Sequence, residues 1–238
     1  MDDKTRTLLS DISARHSGLN LVRGGSGLQL ERLASCVDRV DEFLEGGLPF
    51  GSITEFGMPL GKEGRILALK FVVNATRGIR TKPLWTLWIS SHETFRVFPP
   101  AWFARGVSPA WIVFAQSDRP LRDLKLAISN PIFKLIILDS PRKFTREECF
   151  FVSRQARQNR QLVMLLRDFF LSNRQGNIWA SLRMNCWKRY PSGTLMIRVI
   201  RGLSRRELSI SDAEMSPLYG THAVVVPPGP IDNLFQSL

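Results

Sequence analysis

The chain has 238 residues, 44% apolar and 23% charged, with 17 glycines and 14 prolines, a composition suited to one large domain with appendages. No run of 18 apolar residues occurs, and the opening Met1-Asp2-Asp3-Lys4-Thr5-Arg6 carries no apolar stretch, so neither a membrane span nor a secretory signal is expected and the reading is cytoplasmic. Thirty-three Lys and Arg against twenty-one Asp and Glu leave a net charge of +12, which favours polyanionic partners over an apolar ligand.

Residues 1–30 mix charges and end in Gly24-Gly25-Ser26-Gly27, which reads as a flexible or helical N-terminal segment. The domain proper is placed at 31–226. Leu33, Val37, Val40, Phe43 and Leu44 recur at helical spacing and predict a short helix, stopped by Gly46-Gly47 and Pro49. Ser52 to Phe56 alternates as a strand, Gly57 to Gly64 forms a turn, and Ile66 to Arg77 is an apolar helix. Further strands are predicted at 84–90, 111–115, 135–139 and 162–166, with helical stretches around 99–105, 120–129 and 144–159 between them. Short continuous apolar strands alternating with helices imply a largely parallel sheet covered on both faces.

After Arg167 the rhythm changes. Residues 178–187 alternate, 195–200 and 207–211 follow at hairpin spacing, and 223–226 closes the series, so antiparallel strands are expected to extend the sheet at its C-terminal end. Trp179 and Trp187 share a face of the first of these strands and are expected in the core. Pro227-Pro228-Gly229-Pro230 then sets off 227–238 as a tail. Cys36, Cys149 and Cys186 have no CxxC or CxxH grouping; they are read as buried thiols, and no metal site is expected.

Between the strand at 52–56 and its helix lies Gly57-Met58-Pro59-Leu60-Gly61-Lys62-Glu63, the position of a phosphate-binding P-loop. A working loop needs four residues between the glycines, consecutive N–H donors and a Ser or Thr after the lysine. Here three residues separate Gly57 from Gly61, Pro59 lacks a donor, and Glu63 places a carboxylate where magnesium's hydroxyl ligand belongs. The companion element, an apolar strand ending in Asp, is present at Leu135 to Asp139, where Asp139 either serves magnesium or caps the next helix. His92 and Glu93, after the preceding strand, are vestigial candidates for a general base, or a solvated pair. Lys62 on phosphate and Asp139 on magnesium would hold ATP only if the loop works; otherwise no cofactor is expected.

The segment Asp41 to Gly57, with Gly46-Gly47-Leu48-Pro49-Phe50-Gly51 and Thr54-Glu55-Phe56-Gly57, resembles the helix, turn and strand that introduce the P-loop in RecA-like proteins. The resemblance extends over about 37–200 through Trp85 to Glu93, Ala104-Arg105-Gly106-Val107 and Leu135 to Ser140. Within that superfamily the eroded loop, Trp85-Thr86-Leu87-Trp88, the arginine-rich helix Ser153 to Arg160 and Leu165-Leu166-Arg167 are most similar to ImuA proteins, grouped with the division inhibitor SulA. This implies a RecA-like core in the bacterial cytoplasm or nucleoid. It also implies a role in damage-induced translesion synthesis, with RecA and an ImuB-type polymerase homologue as partners and no demonstrated ATPase. The alternatives are a DNA-stimulated ATPase of the recombinase type and a SulA-like inhibitor of the acidic division protein FtsZ.

Most of the positive charge lies between 141 and 210, where fifteen basic residues meet four acidic ones. Arg154, Arg157 and Arg160 on the predicted helix are candidate contacts for nucleic acid or for a protein partner, with a merely solvated face as the alternative. Where RecA-like chains place a DNA-contacting loop, Arg167 to Asn177 combines Arg167 and Arg174 with Phe169 and Phe170, for phosphates and stacked bases of single-stranded DNA; the phenylalanines could equally be core or interface. In the tail, Ile231 to Phe235 loosely resembles sliding-clamp peptides, with Leu234 and Phe235 as the anchor, though the leading Gln is missing.

Overall fold

Strand β3 (Ser52–Gly57) is central to the sheet because both of its edges are paired in parallel, one to β7 (Leu162–Arg167) and the other to β8 (Leu182–Arg189). The computed structural model describes residues 31–80, 82–91, 97–141, 144–204 and 206–215. All but Glu31 belong to a unit that begins at Arg32. Beyond β7 lie β6 (Leu135–Asp139), β4 (Thr86–Ser90) and β5 (Ile112–Gln116), all parallel. Beyond β8 lie β9 (Thr194–Arg201) and β10 (Glu207–Ile210), both antiparallel. The eight-stranded order is β10-β9-β8-β3-β7-β6-β4-β5. A mixed α/β fold with a mostly parallel sheet and antiparallel strands at its C-terminal end is therefore what the chain adopts.

Strand periodicity sorts each strand's side chains onto two faces. On one face Phe56, Trp88, Leu135, Ile137, Met164 and Leu166 pack under α2 (Arg65–Arg77), whose Leu67, Ala68, Phe71 and Val72 are buried. On the other, Ile53, Ile136, Leu138, Val163 and Leu165 pack under α6 (Arg146–Asn159) through Val152 and Ala156. The chain leaves β3 toward the β4 edge and returns through β6 and β7, so right-handed crossovers put the outgoing and returning helices on opposite faces. Helix α6 starts at a capping box, Thr145 taking the Glu148 N–H while Glu148 reaches back to the Thr145 N–H at 2.7 Å. No helix among the described residues is long and apolar enough to cross a membrane.

Four local expectations are corrected. The helix expected from Leu33 begins instead at Asp38, as α1 (Asp38–Phe43). Arg32 and Leu33 form β1 (Arg32–Leu33), paired with β2 (Leu48–Pro49), and the buried Asp41 carboxylate accepts the Ser35 and Cys36 N–H groups at 2.6 and 3.1 Å, which fixes the turn before the helix. The stretch 120–129 is two short helices, α4 (Pro120–Asp123) and α5 (Lys125–Ser129). The alternation at 178–181 is not strand: β8 begins at Leu182, because Ala180 and Asn177 belong to a turn closed by the Ala180 N–H on the Asn177 carbonyl. Neither Trp179 nor Trp187 is a core residue; both are half-buried against partly exposed phenyl rings. The three cysteines are buried free thiols, as their spacing suggested.

Candidate functional site

The carboxyl ends of β3 and β7 come level at Gly57 and Arg167, and those of β6 and β4 at Asp139 and Ser90, one residue short of them since Asp139 pairs with Leu166. In open α/β sheets this edge, where outgoing and returning crossovers diverge, is where ligand crevices form. Strand parity decides what each residue faces: Asp139 follows Leu135 and Ile137 toward α2, whereas Glu55 follows Ile53 toward α6.

On the α2 side the position is filled from within. Arg65, the first residue of α2, sends its Nε to the two Asp139 oxygens at 3.1 and 3.3 Å and its Nη2 to Oδ1 at 2.8 Å. The same guanidinium donates to the Met58 carbonyl at 2.9 Å and to Ser140 Oγ at 2.8 Å. The Asp139 side chain is fully buried and the Arg65 side chain nearly so. One guanidinium thus ties the strand-end carboxylate to the first turn of the glycine loop.

The loop itself is held by the β8–β9 hairpin. The Lys188 N–H donates to the Lys62 carbonyl at 2.7 Å, and the Glu63 carboxylate accepts from Lys188 Nζ at 3.2 Å and from the Tyr190 hydroxyl. Those two donors, Tyr190 foremost, hold the Glu63 carboxyl below its ordinary range. Gly61 sits at φ +73° in open space, and Lys62 is exposed. Gly57 is needed for close approach: a Cβ there would lie 2.1 Å from Asn185 Oδ1 and 2.8 Å from the Leu171 nitrogen.

On the α6 side Glu55 is wholly buried between two arginines, with Arg167 Nε at 2.9 Å and Arg183 Nε at 3.4 Å. Its Oε2 also accepts the Asn177 N–H at 2.6 Å. Arg183 then reaches the Ser172 carbonyl at 2.6 Å and the Gln175 carbonyl, passing so close to Gly176 (φ +141°) that a Cβ would meet its Nη2 at 2.0 Å. Asn185 accepts the Leu171 N–H at 2.7 Å and donates to the Leu171 carbonyl at 3.0 Å. The loop 168–181 is therefore pinned across β8.

The residues singled out from the sequence separate into distinct places. Gly57, Gly61, Lys62, Glu63 and Asp139 do share the sheet edge, but Asp139 is bonded to Arg65 and Glu63 turns to the hairpin. Arg167 is committed to Glu55, and its guanidinium carbon lies 5.8 Å from the centre of the Phe144 ring. Phe169 is half-buried; Phe170 is 47% exposed and meets Trp187 edge-on at 5.5 Å, with Arg198 on the same indole at 5.6 Å. Arg174 is exposed on the pinned loop. Arg154, Arg157 and Arg160 are exposed on and just after α6, without a carboxylate partner among the described residues. His92, Glu93, Leu234 and Phe235 lie outside the described residues, as do residues 1–30 and the tail.

Sequence reasoning missed Arg65, Arg183 and Asn185. Arg65 had a signal: a cation opening a helix opposes the helix dipole and needs a fixed acid nearby. Arg183 and Asn185 had none: they hold the polar positions of an alternating strand whose Leu182, Met184 and Cys186 face the core, and they are buried by the loop that folds over them. Among the described residues no three His, Cys, Asp or Glu side chains gather as a metal site would require. No protein-family model matches the chain, and no curated protein matches it.

Proposed function

We propose that this chain is a non-catalytic adaptor built on a RecA-like, ImuA-type core, working in the bacterial DNA-damage response. It would join RecA to an ImuB-type polymerase complex through its arginine-rich surface. The central placement of the glycine-loop strand, crossovers to both faces, and an Asp at the end of β6 support the RecA-like part of the reading.

The observation that carries the non-catalytic part is Arg65 on Asp139. A magnesium nucleotide needs that carboxylate free for the metal's water shell and successive N–H donors from the loop. Here the carboxylate is neutralised by a guanidinium, Pro59 lacks a donor and Glu63 adds a negative charge, so the residues do not fit the group. The exposed arginines of α6 and the net charge of +12 support an acidic or nucleic-acid partner.

Calorimetric titration of the full chain with Mg-ATP, beside a Lys62→Ala variant, tests this. The expected result is no saturable heat in either protein. Saturable heat that disappears in the variant would replace the adaptor reading with the ATPase.

A further inference from the structure

Helix α6 is buried along Cys149, Val152, Ser153 and Ala156. At about 100° per residue, Arg146, Phe150, Arg154 and Arg157 fall within an arc of about 80° on one flank of that buried stripe, spaced over about 17 Å of helix axis. All four are exposed, Phe150 to 51%. The flank looks onto the turn that precedes β8: the Phe150 ring meets Trp179 edge-on at 5.2 Å, and beside it Ile178 is 55% exposed. Arg201 Nη1 donates to the Ile178 carbonyl at 3.1 Å and adds a further guanidinium at that end.

Three features point to one class of occupant. Arg154 and Arg157 have no carboxylate partner among the described residues, so their charge is available. Of the two acids in this helix, Glu148 is taken up in the capping box, leaving Glu147 as the helix's exposed carboxylate. The arginines are also interleaved with an aromatic pair whose outer ring presents open π surface. Phosphates held by guanidinium groups with bases stacked on aromatic rings is how single strands are bound; a duplex hides its base faces. The other exposed aromatic pair, Phe170 with Trp187, is a weaker candidate, since its arginine, Arg198, is already paired to Glu207.

We propose that the α6 flank formed by Arg146, Phe150, Arg154 and Arg157, together with Trp179, is a track for single-stranded nucleic acid. This deepens the adaptor reading by naming what its basic surface holds. It also moves the contact from the loop at 167–174 to a rigid helix whose partner turn is fixed.

The test is fluorescence anisotropy of a labelled oligothymidylate against the full chain across a salt series, beside a labelled duplex of equal length. The single strand should bind more tightly. Phe150→Ala should weaken that binding by about 5- to 100-fold through lost stacking. Arg154→Gln with Arg157→Gln should reduce the salt slope by about 0.7 for each phosphate contact removed. Phe170→Ala and Arg174→Gln should leave affinity unchanged. Coincident thermal melts of all variants exclude unfolding as the cause.

Absence of single-strand binding at low salt, or binding indifferent to Phe150→Ala and to the double arginine variant, overturns the proposal. Duplex binding as tight as single-strand binding would do the same. An acidic protein competing for this face without any oligonucleotide affinity would make it a protein interface instead. The Mg-ATP titration is blind to this face, so failure of the track and failure of the adaptor reading are separately visible.

Discussion

Arg65 and Asp139, 74 residues apart in the chain, are joined by Nη2 and Nε of one guanidinium at 2.8 and 3.1 Å from the same carboxylate oxygen. The pair links the start of α2 to the end of β6 across the edge where a phosphate ligand would sit. Removing the guanidinium leaves a buried carboxylate uncompensated. Arg65→Ala is therefore expected to lower the unfolding free energy by about 3–5 kcal/mol, read as a fall in urea midpoint. Adding Asp139→Ala should recover part of that loss, because the stranded charge goes with it. A double-mutant cycle showing no coupling would mean that the pair contributes nothing net.

Glu63 gives the hairpin clamp a pH dependence whose sign is fixed. Its folded-state pKa is held below the ordinary 4.5 by the Tyr190 hydroxyl and Lys188. The stabilisation is thus complete above about 4.5 and is lost as pH falls through the depressed folded value. Urea midpoints of the wild type and Glu63→Gln should differ at neutral pH and converge on acidification. A gap that stays constant with pH would assign the effect to shape rather than charge.

Glu55 determines whether the loop 168–181 stays down. Glu55→Gln removes the charge between Arg167 and Arg183 while keeping an acceptor near the Asn177 N–H. Two buried guanidinium groups lose their counter-ion, so the variant should be less stable by about 3–5 kcal/mol. Limited proteolysis should cut between Phe169 and Gly176 earlier than in the wild type, whereas a Phe170→Ala control should not. Cleavage unchanged in Glu55→Gln would show that Asn185 and the Arg183 bonds to the Ser172 and Gln175 carbonyls retain the loop without the carboxylate.

The thiols should be silent in the native state. Burial pushes Cys149 up to about 11, and raises Cys36 and Cys186 as well, so little thiolate is present at pH 8. Labelling by a maleimide should wait on unfolding and then consume all three cysteines. A fast-reacting thiol under native conditions would contradict the packing around it.

Much of the sheet was legible in the residues themselves. Leu135 to Asp139 and Leu162 to Leu166 are continuous apolar runs because helices cover both faces, and their bounds are recovered within a residue. The helix after the glycine loop and its end at Arg77, followed by the left-handed Gly78, were equally plain. Leu33 was misread because Leu33, Val37 and Val40 keep helical spacing while Arg32 and Leu33 in fact pair with Leu48 and Pro49. A contact fifteen residues away overrides local period.

The candidate sites were legible as residue types but not as roles. Arg167 and Arg154 look alike in a linear reading, two arginines in a basic stretch. One sits on an inward strand position beside Glu55, the other on the open flank of a helix. Likewise Asp139 at a strand end fits a metal's water ligand as well as an ion pair until Arg65 is brought to it.

By itself the sequence determined the alternation of strands and helices, the damaged glycine loop and the concentration of positive charge, because these follow from local period, backbone chemistry and composition. Only the tertiary structure decided which charges are already spent. Pairing across 74 residues at Asp139 and 112 at Glu55 depends on strand order and parity, and a buried charge keeps its ionised form only beside a partner that long-range folding delivers.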